Sequence, residues 1–190
     1  MMLPGRPWVF ELIELKDMPA HILRHSLMVR KVAVTLAAFV AVKRPIDIDL
    51  VDRAALLHDI CKADAIQSGT DHARQGQRLL EAMGYPNIGA VIGQHVRLKG
   101  LTLDEAMLVN YADKRVMHER VVTLSRRFVD LLERYGTTDE RRHRILSQFA
   151  ISLQVERMVT EASGLDPLWL NSLNLALSDD TLDGVHGIRG

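Results

Sequence analysis

The stretch Leu56-Leu57-His58-Asp59-Ile60-Cys61-Lys62 follows an apolar run and sets a histidine beside an aspartate. Val51, Ala54, Ala55 and His58 recur at three- and four-residue steps, the spacing of one helical face. The pattern predicts a helix from about Leu50 to Asp64, capped by Asp47 or Asp49. Asp59 lies about 100° further round that helix, in line with Ala55 and Lys62. Two ionisable groups buried side by side cost folding free energy unless something binds them. The rest of the chain must supply the partners.

It offers them on neighbouring helical patterns. Upstream, Ala20 to Val42 is the longest, with His25, Val29, Val32 and Leu36 on one face, and Lys43-Arg44-Pro45 ends it. A short helix is expected over Trp8 to Lys16, after a loose start from Met1 to Pro7. Downstream, a helix from Asp71 to Met83 aligns His72, Gly76, Leu79 and Leu80, and a short one from Ile88 carries Val91, Ile92 and His95 inward. Thr102-Leu103-Asp104-Glu105 has the form of a capping box. The helix it opens puts Ala106, Val109, Asn110, Asp113 and Val116 on one face, and its pattern runs on to Tyr135. Helices from Asp139 to Ser163 and Leu168 to Leu177 follow, then a loose polar tail from Ser178 to Gly190. No strand series, repeat or low-complexity segment is apparent. The expected fold is all-α, one helical bundle: an N-terminal extension over 1–19, a metal-binding core over 20–120, C-terminal helices over 121–177 packed on that core, and the tail.

Composition narrows the classes. At 190 residues the chain suits a single domain, and 47% hydrophobic with 25% charged residues is the balance of a globular protein. Basic and acidic residues cancel, 24 against 24, so neither a nucleic-acid nor a membrane surface is expected as a partner. A single cysteine, Cys61, excludes an internal disulfide and fits a reducing compartment. No basic segment precedes an apolar run at the N-terminus, and no stretch reaches the roughly 18 apolar residues of a membrane span. The expected location is cytoplasmic.

His25, His58, Asp59, His72, His95 and Asp113 thus come from five predicted helices, each at a core-facing position. A lone histidine on an apolar face is more often a hydrogen-bonded core residue than a ligand. Six such groups would each need a buried partner, and a shared metal centre satisfies all of them. Imidazole with carboxylate suits iron, manganese, zinc or cobalt; without a useful thiolate, a structural zinc knuckle is disfavoured. Cys61 reads as packing. His21 and His118 lie near the motifs, and His143 and His186 read as solvated surface and tail.

The order of these motifs resembles the HD-domain metal-dependent phosphohydrolases, over roughly Ala20 to Arg120. Leu56-Leu57-His58-Asp59-Ile60-Cys61-Lys62 is similar to the family signature with its following lysine. His72-Ala73-Arg74-Gln75-Gly76, Ile92-Gly93-Gln94-His95 and Tyr111-Ala112-Asp113-Lys114 resemble the later motifs. The likeness is greatest to the bacterial dinuclear branch that includes symmetrical diadenosine tetraphosphate hydrolases. The gap from Asp59 to His72 is short. Val96 stands where the cyclic-dinucleotide phosphodiesterases have a second histidine, which sets the chain apart from that branch.

The resemblance implies two divalent ions per chain. His25, His58, Asp59 and Asp113 would surround one, and Asp59 would bridge to a second held by His72 and His95. A water shared by the cations, deprotonated near neutral pH, is the expected nucleophile, so Asp59 counts as catalytic as well as ligating. Lys62 is a candidate for phosphate binding and catalysis, and Arg97 and Lys114 for substrate binding. The implied substrate is a nucleotide or dinucleoside polyphosphate. Two alternatives stand beside this reading. One is a mononuclear 5′-nucleotidase-type phosphatase, in which His72 and His95 contact phosphate; the other is a non-catalytic nucleotide sensor. The amphipathic segment from Asp139 to Ser163 would either cap the core or form a homodimer face.

Overall fold

The computed structural model describes residues 2–175. The proposed loose tail with His186, and the last two residues of the expected Leu168–Leu177 helix, lie outside the described residues.

Helix α1 (Arg6–Leu15) begins at Arg6 with Pro7 in its first turn, where a missing N–H costs nothing, so part of the segment expected to be loose is helical. Helix α2 (Ala20–Ala41) is the central rod, packed against α3 (Ile48–Leu57) and α7 (Glu105–Arg115). Val29, Val32 and Leu36 of α2 meet Ala54 and Ala55 of α3 and Leu108 and Val109 of α7 in the core. Each buried branched side chain there contributes about 1.5–3 kcal/mol of hydrophobic stabilisation. Asp47 caps α3 by accepting from the Leu50 N–H, so the cap is one of the two expected residues.

The single helix expected over Leu50–Asp64 is two. Helix α3 ends at Leu57, residues 58–61 form a turn, and α4 (Lys62–Ser68) restarts the chain. Within the turn the backbone bonds tighten to three-residue spacing, Ile60 N–H to Leu57 C=O and Lys62 N–H to Asp59 C=O. Gly69 closes α4 with a left-handed φ of 67°, a conformation glycine adopts without penalty.

Helix α5 (His72–Ala82) is capped by Asp71, which accepts from the Ala73 and Arg74 N–H groups. It pairs with α6 (Pro86–Ile92). Helix α7 starts two residues later than the capping-box reading. Asp104, rather than Thr102, accepts the first N–H, from Met107.

The run to Tyr135 is also interrupted. Val116 turns extended, and β1 (Val116–Met117) pairs antiparallel with β2 (Arg120–Val121) through a His118-Glu119 loop. Three β-branched valines, Val116, Val121 and Val122, weaken helix continuation here, and Arg115 Nε fastens the return by donating to the Val122 carbonyl. Helices α8 (Leu124–Tyr135) and α9 (Asp139–Ser163) follow, capped by Thr123 and Thr138, then a 3₁₀ segment Trp169–Leu175. Helix α9 packs on α8, α2 and α7.

The architecture is all-α, with a two-stranded ribbon the sequence pattern did not show. Among the described residues, no helix is long and apolar enough to cross a membrane.

Candidate metal centre

Six ligand-type side chains converge on the floor of a cleft of about 620 Å³. His25 comes from α2, His58 and Asp59 from the turn after α3, and His72 from the first residue of α5. His95 follows α6, and Asp113 lies on α7. His95 sits in a bend after α6 rather than on the helix expected to carry it.

Three of the four histidines are turned the same way. His25 Nδ1 donates to the His118 carbonyl (2.8 Å), His58 Nδ1 to the Ala55 carbonyl (2.8 Å) and His95 Nδ1 to the Ile92 carbonyl (2.7 Å). With Nδ1 committed as donor, each ring presents a bare Nε2 lone pair to the centre of the cluster. His118 takes part through its backbone: at φ 55° in the ribbon's loop, it aims its carbonyl at His25. His21 also borders the cleft.

The Nε2 atoms meet the carboxylates in two groups. His25 Nε2 is 3.1 Å and His58 Nε2 3.7 Å from Asp113 Oδ1. Asp59 faces both ways: Oδ2 lies 3.4 Å from His58 Nε2, and Oδ1 lies 3.2 Å from His72 Nε2 and 3.4 Å from His95 Nε2. Atoms of His25, His58 and Asp113 lie within 4.8 Å of one another, as do those of His58, Asp59 and His95.

Burial would raise the Asp59 carboxyl pKa, but the approach of the His58 ring, with those of His72 and His95, holds it well below the usual range. Asp113 is likewise kept low against its burial, chiefly by His25. Both are carboxylates ready to coordinate.

The donor set fits a cation. His58 Nε2 and Asp59 Oδ1 are buried and have no hydrogen-bond partner, in a site where an orphaned polar atom costs about 1–3 kcal/mol. Lone pairs that converge without a proton between them are satisfied by a positive ion. Imidazole nitrogen with carboxylate oxygen is the set for a first-row divalent metal.

Lys62 Nζ donates to Asp59 Oδ2 at 2.6 Å from the first residue of α4, and Lys114 Nζ donates to the His95 carbonyl at 2.9 Å. Both border the cleft. Burial pushes the Lys114 ammonium down to about 8. For Lys62 burial acts in the same direction, but the charges of Asp59 and Asp113 and the hydrogen bond to Asp59 together outweigh it and raise the pKa.

Arg97 is not with them. It lines a separate polar depression with Arg74, Arg78 and Lys99, because the loop after His95 turns away from the cluster.

The sequence reading also missed the cleft's far wall. Arg127, Phe128, Leu131, Arg134 and Tyr135 of α8, with Gln148 of α9, face the ligands. The only signal available was the interruption at Val116, which frees α8 to fold back over the site.

The profile of a family described as HD domain matches residues 22–118, just over half of the chain. Ribonuclease Y of Fusobacterium nucleatum subsp. nucleatum is similar, 35% identical over 95 residues. Those residues are 49% of this chain and 18% of that protein, so the chain spans under a fifth of its relative's length. No solved structure matches.

Proposed function

We propose, from the premise that this chain belongs to the HD domain family, that it is a phosphohydrolase using divalent metal. It would cleave a phosphate ester or anhydride of a nucleotide or dinucleoside polyphosphate. One observation carries the reading: four histidines and two aspartates converge at a cleft bordered by cations, with His58 Nε2 and Asp59 Oδ1 buried among them without a partner.

In this reading His25, His58, Asp59 and Asp113 would hold one ion, and His72 and His95, with Asp59, a second. Bound there, the ions would activate a water as nucleophile and neutralise charge gathering on the phosphoryl oxygens. The chain's own groups do the rest. Asp59 and Asp113 stay ionised throughout the neutral range and compensate the ions' charge. The backbone carbonyls of His118, Ala55 and Ile92 keep three imidazoles in the ligating tautomer. Lys62 reaches from Asp59 towards the cleft, where its ammonium can orient a phosphoryl oxygen. Lys114 stands behind His95 and adds positive charge to the same wall.

A second enzymatic reading has one ion on His25, His58, Asp59 and Asp113. The direct approach of His72 Nε2 to His95 Nε2, 3.0 Å, favours it, since that contact occupies the two nitrogens a second ion would need. Metal analysis of fully loaded, active protein separates the two. Two equivalents per chain support the dinuclear site, and one equivalent the mononuclear site.

The activity is tested by a hydrolysis screen that reads both released phosphate and released nucleotide, over mono- and dinucleotides, diadenosine tetraphosphate and a short RNA, the last because a relative is a ribonuclease. Iron, manganese, zinc and cobalt are loaded in parallel. Release from at least one compound is expected. No release from any of them by fully loaded protein would replace this reading with a non-catalytic nucleotide sensor.

A further inference from the structure

Arg127 lies on α8, beyond the residues that match the HD family, yet it borders the same cleft as the ligand cluster. Its side chain is 13% exposed, so its charge is largely removed from water. Nη1 pairs with Asp130 Oδ2 at 3.2 Å, one turn along the helix, while Nε is buried with no partner. Asp130 also accepts from Arg134 on the next turn, so it does not depend on Arg127 for a counter-charge.

A guanidinium in this state is costly without an acceptor. Its surroundings around the cleft supply cations instead: Lys62 and Lys114 border the same cleft. Lys62 already holds Asp59, and Lys114 holds only a backbone carbonyl. Three cations bordering one cleft, with a guanidinium N–H donor left without a partner, mark a place where an anion completes the hydrogen bonding.

We propose that Arg127 binds a phosphate of the substrate other than the one attacked. With Lys62 and Lys114 it would form a three-cation cradle that selects compounds carrying at least two linked phosphates. The proposal rests on the phosphohydrolase reading and deepens it, assigning polyphosphate selectivity to a residue outside the family segment. The apolar side chains beside it, Phe128, Leu131 and Tyr135, would meet the organic part of such a compound.

The test uses the full chain, loaded with Mn²⁺, and methylenediphosphonate, a diphosphate mimic whose bridge cannot be hydrolysed. Calorimetry gives its affinity for wild type, Arg127→Gln, Arg127→Lys and Asp130→Asn, and metal analysis gives Mn²⁺ per chain. Wild type is expected to bind the probe, with Arg127→Gln about tenfold weaker and Arg127→Lys in between. Asp130→Asn breaks the same helix pair but keeps the guanidinium, and should stay within about twofold. Mn²⁺ per chain should be the same in all four. Equal affinity in Arg127→Gln, an equal loss in Asp130→Asn, or no binding by wild type overturns the proposal. Probe binding that depends on Arg127 in a protein taking up no Mn²⁺ would leave the anion site standing and remove the metal reading instead.

Discussion

Asn110 Nδ2 donates to the His95 carbonyl at 2.9 Å, tying the bend that carries one ligand to the helix that carries Asp113. The same amide donates to the Gln94 carbonyl at 2.9 Å, so one buried side chain clamps two consecutive peptide groups. Asn110→Ala would take this donor from the Gln94 carbonyl and leave the His95 carbonyl with Lys114 alone. We expect a loss of about 1–3 kcal/mol in urea unfolding. We also expect roughly 10–100-fold weaker metal affinity, the usual effect of removing a group that orients a ligand. Unchanged metal affinity would mean that the bend holds His95 without Asn110.

Asp59 touches both halves of the cluster, and no other carboxylate in the cluster does so. Asp59→Ala should abolish metal binding and hydrolysis together, a loss beyond the roughly 100-fold seen for groups that only orient ligands. Metal analysis after dialysis, run beside the hydrolysis assay, decides the matter. Full activity in this variant would refute the metal mechanism.

Chelation should lower stability while leaving the fold in place, because the core over Val29, Val32, Leu36 and Leu108 is apolar and independent of the ligands. With free metal at 100 times its Kd, binding to the folded state alone adds about 2.7 kcal/mol. A melting curve with and without EDTA should show this loss, with helical circular dichroism unchanged at low temperature. Identical melting in both conditions would contradict a metal site in the folded chain.

Arg97 lies in a depression apart from the ligands. Arg97→Ala is therefore expected to keep kcat/KM within about twofold of wild type, as for an exposed charge whose contribution is small. A tenfold loss would show that the loop after His95 closes over the substrate during turnover.

Asp52 is 2% exposed and is ringed by Arg6, Arg30 and Arg53 at 3.0, 2.6 and 2.9 Å. Burial would raise its pKa, but the hydrogen bonds and charges of Arg6 and Arg30 lower it. A carboxyl lowered on folding stabilises above its unfolded pKa, about 3.9, and that contribution is lost as pH falls through the lower folded value. Urea unfolding should therefore show a stability decrease below about pH 4 that is smaller in Asp52→Asn. At pH 7 the same variant should be less stable by about 3–5 kcal/mol, since it strips a buried pair of its anion. Equal acid sensitivity in the two proteins would assign the acid response to other carboxylates.

Much of the cluster was legible in the chain because its ligands stand at helical spacing from apolar neighbours. His25 keeps register with Val29, Val32 and Leu36, and Asp113 with Val109 and Val116, so burial follows from period alone. The Asp139–Ser163 helix was legible as well, between the Thr138 cap and the left-handed Gly164. The turn at residues 58–61 was not legible. Its residues remain compatible with a helix, and the break goes with tertiary packing, α3 against α2 and α4 against α5, rather than with local propensity.

The amino-acid sequence by itself determined the all-α class and the identity of the inward-facing histidines and aspartates, because both follow from periodicity that each segment carries alone. The tertiary structure decided what those groups face. The turn after Leu57 directs the two oxygens of Asp59 to different histidines, and the ribbon's loop brings the His118 carbonyl to His25. It also set Arg127 in the cleft that Asp59 lines and Arg97 outside it. These are relations between residues far apart in the chain, and close packing of separate helices, rather than the spacing within any one of them, sets such distances.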